Sequence, residues 1–147
     1  SIEMFEAVGE TYWPAYFNTL SSCLRPEGKA ALQVITIADE IFHIYKAQPD
    51  FIQRYIFPGG MLPSMTALAS PLHKAGLKLV SETGYARDYA RTLAVWKERF
   101  NNAWPELVNT NRFDERFKLM WELYLSYCEG GFKAGNIDVK QMLITHK

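Results

Sequence analysis

The sequence predicts an α/β fold, and three observations carry that prediction. Residues 30–37 form a short, almost continuously apolar run rich in β-branched side chains, which is typical of a strand covered on both faces. Residues 77–83 alternate between apolar and polar side chains, and residues 137–144 close the chain as a third strand. The segments between them have helical spacing. Layered α/β sheets usually have about five or more strands, so three strands indicate that some are missing.

The first predicted helix begins near Trp13. Apolar or aromatic residues occupy positions 13, 16, 17, 20 and 24, which is the i, i+3, i+4, i+7 spacing of an amphipathic helix. Pro14 suits the first turn, where a missing N–H leaves no helical hydrogen bond unmade. A turn signal at 24–29 ends this helix before the strand at 30–37.

The segment from Asp39 to Ser64 is predicted to be mainly an aromatic loop. It holds many aromatic side chains and ends in a Pro- and Gly-rich stretch, with one or two helical turns allowed at 50–55. A loop with so much apolar surface is not an ordinary linker. We therefore expect it to line or cover a ligand.

The rest of the chain is predicted to be mainly helical. Ser64 is a suitable N-cap for a helix at 65–74, and Gly76 is a suitable residue just beyond its end. Two longer helices are expected at 87–100 and 114–134, each with an aromatic stripe on one face.

Composition excludes several classes of protein. A chain of 147 residues fits one domain, and 48% apolar with 22% charged residues is ordinary for a globular protein. Sixteen basic residues balance sixteen acidic ones, so the basic footprint of a nucleic-acid binder is missing. No apolar run reaches the ~20 residues of a membrane span, and no signal peptide is visible. Four Trp, eight Tyr and nine Phe suit a large core or an apolar ligand cavity.

Generic motifs leave the chemistry open. The sequence has no GxGxxG, Walker A, HExxH or GxSxG motif. Cys23 and Cys128 are expected to be buried or half-buried free thiols, and no metal site is predicted. His43 is either a catalytic residue or, as is commoner for a lone histidine among aromatics, a structural or solvent-exposed one. Glu6 follows a potential strand end and could face a ligand, and Tyr89 could simply pack.

Five segments, taken in order, carry a resemblance to a known family. They are SIEMFEAVGE at 1–10, LQVITI at 32–37, DFIQRYIFPGGMLPS at 50–64, DYARTLAVW at 88–96, and MWELYL with CEGGF at 120–132. The third segment is long and highly specific. Together they resemble the cyclopropane-fatty-acyl-phospholipid synthase family, which includes the mycolic acid cyclopropane synthases.

The resemblance implies a Rossmann-like methyltransferase fold, of which residues 1–147 are a single C-terminal portion. The strands at 30–37, 77–83 and 137–145 would be the fifth, sixth and seventh, with the seventh inserted antiparallel between the other two. Ser1 would lie at the end of the fourth strand. The N-terminal half, with its glycine-rich S-adenosylmethionine loop, would be missing, so no cofactor-binding residue is assigned. Strand 30–37 would then have an unpaired edge through which the chain could form a homodimer.

The resemblance also implies the chemistry. Family members transfer a methyl group from S-adenosylmethionine to a cis double bond of an unsaturated phospholipid acyl chain, and a bound bicarbonate acts as the base that closes a cyclopropane ring. By the same resemblance, Glu6, the hydroxyl of Tyr89 and the backbone N–H of Ile37 would bind that bicarbonate. Many members have a histidine two residues before the main-chain donor, where this sequence has Ile35. A cysteine ligand of the family belongs to the missing half.

The loop at 51–63 resembles part of the acyl-chain pocket or its cover, although a rigid structural loop is the alternative. Its expected substrate-binding residues are Phe51, Tyr55, Phe57, Met61 and Leu62. The family resemblance implies a cytoplasmic protein that contacts membranes peripherally. Two other outcomes stay open: a related methyltransferase that makes a methyl or methylene branch, or an inactive fragment that binds lipid or a partner.

Overall fold

The computed structural model describes residues 1–110 and 112–147. They form two compact units, one of Ser1–Tyr85 with Ile137–Lys147 and one within Ala86–Asn136. The first unit contains a sheet with helices, and the second contains a pair of helices. A single domain portion over 1–147 therefore stays a prediction.

The regular elements alternate as the sequence predicts, with one additional helix. The strands are β1 (Ala30–Ile37), β2 (Leu77–Gly84) and β3 (Ile137–His146). The helices are α1 (Trp13–Cys23), α2 (Asp39–Ala47), α3 (Met65–Lys74), α4 (Ala86–Val108) and α5 (Glu115–Lys133). Short 3-10 turns occupy Phe5–Ala7 and Glu10–Tyr12, and a π-helical turn occupies Ile52–Ile56.

The sheet has the strand order β1-β3-β2, and β3 runs antiparallel to both neighbours. The predicted insertion of the last strand between the other two is therefore confirmed. Ala30 pairs with Ile144 and Ile37 with Ile137, so β1 is paired with β3 along its whole length. The β2 register shifts between Leu79 and Ser81, which leaves Val80 as a bulge.

One face of the sheet carries the core of the first unit. Side chains two apart on a strand share a face, so Leu32 and Val34 of β1 are buried with Met142 and Ile144 of β3. Helical spacing of four supplies the opposing layer. That layer consists of Trp13, Phe17, Leu68 and Leu72, together with Phe5 and Leu77.

Helix α2 corrects the prediction of a loop after Asp39. Asp39 and Glu40 lie in its first turn, where carboxylates interact favourably with the helix dipole. Phe42 packs against the core, which explains why an aromatic residue in this segment does not mark a loop. Helix α4 also runs beyond the predicted end at 100, to Val108.

The second unit is an α4–α5 pair. Helix α5 starts close to the predicted position, and Asp114 caps it, since its carboxylate accepts the N–H of Phe117 at 2.8 Å. The indole N–H of Trp104 donates to Glu115 at 3.2 Å. Residues on the buried faces are Ala90, Leu93, Trp104, Leu125 and Phe132.

Candidate functional site

Glu6 is held in place by the residue before it. The ring of Phe5 is 1% exposed and lies 5.4 Å from Trp13 and 5.3 Å from Phe17, centroid to centroid. Because Phe5 anchors its 3-10 turn in the core, the next side chain leaves that turn in a defined direction. An Oε1 atom of Glu6 accepts the backbone N–H of Ile35 at 2.5 Å. A carboxylate thus meets the outer edge of β1.

The outer edge of β1 is closed by the chain itself. The N–H of Gln33 donates to Ser1 O at 2.9 Å, and Glu3 N–H donates to Gln33 O at 2.8 Å. The N–H of Ile37 donates to Pro63 O at 3.0 Å. With Ile35 bonded to Glu6, the three outward N–H groups of β1 at 33, 35 and 37 all have acceptors. The prediction of an unpaired β1 edge is therefore wrong, because a main-chain oxygen at Ser1, a carboxylate and a loop carbonyl accept the outward N–H groups of this strand.

The second carboxylate oxygen of Glu6 is buried without a hydrogen-bond partner. Burial raises the pKa of this carboxyl, the Ile35 N–H opposes that rise, and the negative charge of Glu3 adds to it. A carboxylate with one oxygen held and the other unpaired is a proton acceptor whose basicity exceeds that of a solvated one.

The segment after α2 is rigidly braced. Asp50 and Gln53 exchange backbone-to-side-chain hydrogen bonds of 3.1 Å, and the Gln53 amide also donates to Gly60 O at 3.1 Å. The Leu62 N–H donates to the Tyr45 hydroxyl at 3.1 Å, and burial raises the pKa of that hydroxyl. Tyr45 is a residue that sequence reasoning missed, since nothing local marks a tyrosine for a partner seventeen residues away.

The five residues expected to bind an acyl chain do not share one environment. Tyr55 and Phe57 are 62% and 55% exposed, whereas Phe51 is half-buried with its ring 5.7 Å from that of Tyr55. Met61 and Leu62 are half-buried, and Met61 packs against the core of the first unit. The segment therefore has a fixed base and an exposed aromatic surface.

The backbone ties this segment to Glu6 directly. The N–H of Met61 donates to the main-chain oxygen of Glu6 at 2.8 Å. A Cβ atom built on Gly60 would make an ordinary contact of 3.7 Å with the same oxygen and a tight one of 3.0 Å with Phe57 O. The turn that carries Glu6 and the braced segment are thus one connected piece of the first unit.

Tyr89 belongs to the second unit, on α4. It is half-buried, with its ring 4.9 Å from Phe132 and 6.2 Å from Trp96. Both the packing role and the donor role proposed for it are compatible with this position. Its donor role stays a prediction.

The remaining candidate residues are a histidine and two cysteines. His43 is exposed on α2. Cys128 is a half-buried free thiol, as expected, but Cys23 is exposed because it lies at the solvent-facing end of α1. Within residues 1–110 and 112–147, no helix is both long and apolar enough to cross a bilayer.

Residues 1–142 match the family model described as mycolic acid cyclopropane synthetase. The chain belongs to the mycolic acid cyclopropane synthetase family. It is 43% identical over 142 residues to the tuberculostearic acid methyltransferase UfaA1 of Mycobacterium tuberculosis, covering 96% of this chain and 33% of UfaA1. It is 34% identical over 145 residues to the cyclopropane-fatty-acyl-phospholipid synthase of Escherichia coli K12, covering 99% of this chain and 36% of that enzyme.

A solved structure confirms the predicted fold class. The mycolic acid cyclopropane synthase CmaA1, complexed with SAH and CTAB, superposes with a TM-score of 0.88 at 26% identity. The match covers 100% of this chain and 54% of that chain. The chain thus spans about a third of the length of these two relatives and about half of the length of the CmaA1 chain.

The family resemblance implies a bicarbonate, which stays a prediction, and two main-chain N–H groups near Glu6 already have partners within the chain. An anion needs donors, but the Ile37 N–H expected to hold it is bonded to Pro63 O. The Ile35 N–H is bonded to the Glu6 carboxylate. Two residues before Ile35 lies Gln33, whose amide N–H₂ donates to Glu3 at 2.8 Å. The unpaired Oε2 of Glu6 could accept a hydrogen bond from the hydroxyl of a bicarbonate.

The family resemblance implies Ile37 as the main-chain donor, and the N–H of Ile35 points to the same edge because a strand has a period of two. Only the tertiary path of residues 5–7 and 61–63 decides which N–H meets the carboxylate. Gln33 was missed as well. Its side chain links Glu3 to Gln141 across two strands, with a bond of 2.9 Å to Gln141. These residues lie beside a groove of about 410 Å³ on the sheet face opposite the core.

Proposed function

We propose that the full-length protein carrying this chain transfers a methyl group from S-adenosylmethionine to a cis double bond in an unsaturated phospholipid acyl chain, forming a cyclopropane ring. The observation that carries the proposal is the family match over residues 1–142, and it is supported by the buried Oε2 atom of Glu6 at the end of the SIEMFE motif. The chemistry below is derived from residues of this chain.

The cofactor, when bound, supplies an electrophilic methyl group. No residue of this chain is assigned to hold it, because the sequence has no glycine-rich loop after a strand. Its use is supported by the family and by the CmaA1 structure, which contains SAH. The bicarbonate is left out of the proposal, since the donors expected for it have partners within the chain.

An alkene is a weak nucleophile, so its reaction with the methyl group needs a site without water and an acceptor for the proton that is lost. The braced segment at 51–63 supplies apolar and aromatic surface for an acyl chain, and aromatic faces stabilise passing positive charge. Glu6 is the candidate group for the proton, because its free oxygen is buried.

A methyl or methylene branch is the second candidate product. It is favoured by the 43% identity to a relative named as a tuberculostearic acid methyltransferase, which is higher than the 34% identity to the Escherichia coli cyclopropane synthase. The site described here contains no feature that separates the two outcomes.

The test is product analysis with full-length protein, S-adenosylmethionine with a labelled methyl group, and vesicles of unsaturated phospholipid. Fatty acids released from the vesicles are separated and compared with ring, methyl and methylene standards. We expect the label in a ring, identified by upfield ring-proton resonances. Label only in a branch would replace the first candidate by the second, and no label in lipid would reject both.

Peripheral membrane contact is part of the proposal. The exposed rings of Tyr55 and Phe57 come just before an exposed Pro58–Gly59 turn, and Arg54 beside them is exposed too. Rings with adjacent cations are suited to the interface between water and lipid headgroups. A Tyr55→Ser, Phe57→Ser double variant should sediment less with anionic vesicles than wild type. The control is Tyr12→Ser, which replaces a 65% exposed ring in another part of the chain and should sediment as wild type does. Equal sedimentation of all three would remove this surface from the proposal.

A homodimer through the β1 edge loses its basis, since the outward N–H groups there are bonded within the chain. The alternative that residues 1–147 alone bind lipid without turnover is tested by titrating the isolated chain with S-adenosylmethionine in a calorimeter. Heat of binding would count against that alternative.

A further inference from the structure

We propose that the outward face of α5 is a docking surface for an anionic phospholipid bilayer. This inference rests on the proposed function, because it takes the substrate to be an acyl chain held in a bilayer. It adds a second surface to the exposed rings of Tyr55 and Phe57, which belong to the first unit. Four side chains on one helix of the second unit carry it.

The surface is a stripe along α5, formed by Arg116, Leu119, Leu123 and Tyr127. Residues three and four apart lie on the same side of a helix, so these four side chains follow one another along it. Leu119 is 64% exposed, Leu123 is 51% exposed and Tyr127 is 47% exposed. Arg116 is exposed as well. These four residues are called the α5 stripe below.

The opposite side of α5 is committed to packing. Leu125 and Phe132 are buried. The ring of Phe117 lies 5.6 Å from that of Trp121 and 6.4 Å from that of Phe100 on α4. Because α5 cannot turn its outward leucines inwards without breaking this aromatic packing, the α5 stripe is a fixed feature of the surface.

The outward face of α4 has a different composition. Val95 is 36% exposed and lies one turn from Arg91 and one turn from Glu98, which are both exposed. A single apolar side chain between charges of opposite sign is typical of a helix face in water. Trp96 lies beside it, with its ring 6.2 Å from that of Tyr89. Consecutive exposed apolar side chains at helical spacing are therefore a property of α5 and not of the pair.

The charges of the α5 stripe fit a surface of anionic headgroups. Arg116 is in no ion pair within residues 1–110 and 112–147. The acidic residues of α5 lie beside the stripe: Glu115 accepts an indole N–H from α4 at 3.2 Å, Glu122 is half-buried, and Glu129 is paired with Lys133. Leucines that enter the apolar layer, a tyrosine ring at its boundary and an arginine at the phosphates form a typical interfacial arrangement.

A second copy of the chain fits the α5 stripe less well. A symmetric dimer brings the same patch together from both copies. Since the stripe contains Arg116 and no carboxylate, neither guanidinium would meet an acceptor on the other stripe. A stable dimer also buries about 800 Å² on each partner, more than four partly exposed side chains offer. A bilayer requires neither self-complementary charge nor a large protein surface.

The main experiment measures how the full-length protein carrying this chain partitions into phosphatidylcholine vesicles that contain phosphatidylserine. The double variant Leu119→Ser, Leu123→Ser should lower the partition coefficient about tenfold or more, because two apolar side chains no longer enter the bilayer. Val95→Ser, on the outward face of α4, is the matched control and should bind as wild type does. Leu119→Phe, Leu123→Phe should also bind as wild type does. Equal partitioning of wild type and the serine double variant would overturn the proposal.

The arginine is tested through the lipid charge. Arg116→Gln should lower the partition coefficient about fivefold with vesicles that contain phosphatidylserine, and should leave it unchanged with phosphatidylcholine alone. Raising the salt concentration should reduce the difference, since ions screen an exposed charge. An equal loss with both lipids, or no loss with either, would overturn the assignment of an anionic surface.

Two measurements without lipid distinguish the bilayer from a protein partner. In sedimentation velocity, wild type and the serine double variant should have the same oligomeric state. A wild-type dimer that dissociates in the variant would assign the α5 stripe to a second copy and overturn the proposal. The unfolding midpoints should agree within about 3 °C. A larger fall would mean that another part of the full-length protein covers these leucines, and would overturn it too.

Failure of this inference is distinguishable from failure of the proposed function. Methyl transfer is measured with vesicles and with the same phospholipid dispersed in a non-ionic detergent. The serine double variant should lose turnover on vesicles in proportion to its lost binding, and should match wild type on the dispersed lipid. If wild type methylates neither preparation, the proposed function fails, while the partition coefficients still decide whether the α5 stripe binds a bilayer.

Discussion

The two outer edges of the sheet are protected from pairing with another strand in different ways. Along β1, outward N–H groups are bonded to three different acceptors from the same chain: a main-chain oxygen of a strand stub, a carboxylate and a loop carbonyl. Along β2, the edge is interrupted by a bulge at Val80 and flanked by the exposed charges of Lys78 and Glu82. Both devices prevent edge-to-edge association. Only the first places a carboxylate against the strand, where Glu6 accepts the Ile35 N–H.

The largest effect is expected from removing the anchor of the β1 edge. Phe5→Ala should lower the free energy of unfolding by about 3–5 kcal/mol, because it empties a fully buried aromatic position. The Ile35 amide should also exchange with solvent faster, since Glu6 loses its support. Urea unfolding and hydrogen exchange measure the two effects. Tyr12→Ala, at a 65% exposed ring, is the control, and equal stability of the two variants would contradict the anchoring role.

A smaller effect is expected at the corner that presents Pro63 O to Ile37. Ser64 is 2% exposed and its hydroxyl accepts the Ala67 N–H at 3.3 Å, so Ser64→Ala should cost about 1 kcal/mol. The Ser64 hydroxyl is also the main cause of the lowered pKa of Asp39, which should move back toward its ordinary value. Thermal unfolding and NMR titration check both. Ser70→Ala, on the exposed side of the same helix, should change neither.

The pH dependence of stability distinguishes the Glu6 carboxylate from an ordinary one. Burial raises its pKa above the ordinary 4.5, so the stability that it contributes is present below that value and is lost as the pH rises through the raised pKa. Wild type should therefore lose stability relative to Glu6→Gln as the pH rises through this window. Asp39, with a lowered pKa, should show the opposite sign against Asp39→Asn. Parallel curves for wild type and Glu6→Gln would show that burial does not penalise the charge.

The smallest effect belongs to the β2 edge. Lys140 lies 3.1 Å from Glu82 and 3.5 Å from Asp138. Burial lowers the pKa of Lys140, but the bonds and charges of Glu82 and Asp138 outweigh it and raise the pKa. Glu82→Gln should lower that pKa and cost about 0.2–1 kcal/mol, since the pair is partly exposed to solvent. A larger loss of stability would mean that the β2 edge depends on this pair as β1 depends on Glu6.

Local signals were enough to predict much of the fold. The β-branched run at 30–37 and the Ser64-capped helix at 65–74 have the predicted bounds, because the strand and cap preferences lie in the residues themselves. Helix α2 was missed because the partners of its aromatic side chains lie far away in the sequence. The Tyr45 hydroxyl, for example, accepts the N–H of Leu62. The role of Glu6 as the carboxylate of the site stays a prediction, and its contact with Ile35 depends on how two separate segments fold back onto one strand.

The position of β3 has a consequence for synthesis on the ribosome. It follows both β1 and β2 in the chain, yet it lies between them and forms the ladder with each. Until it leaves the exit tunnel, neither of the earlier strands has its neighbour, and their apolar faces stay available to chaperones. The helical pair at 86–136, whose contacts are local, can form first. Assembly of the sheet is therefore expected to be a late event in translation, so that slow decoding before residue 137 lengthens the period in which the strands are exposed.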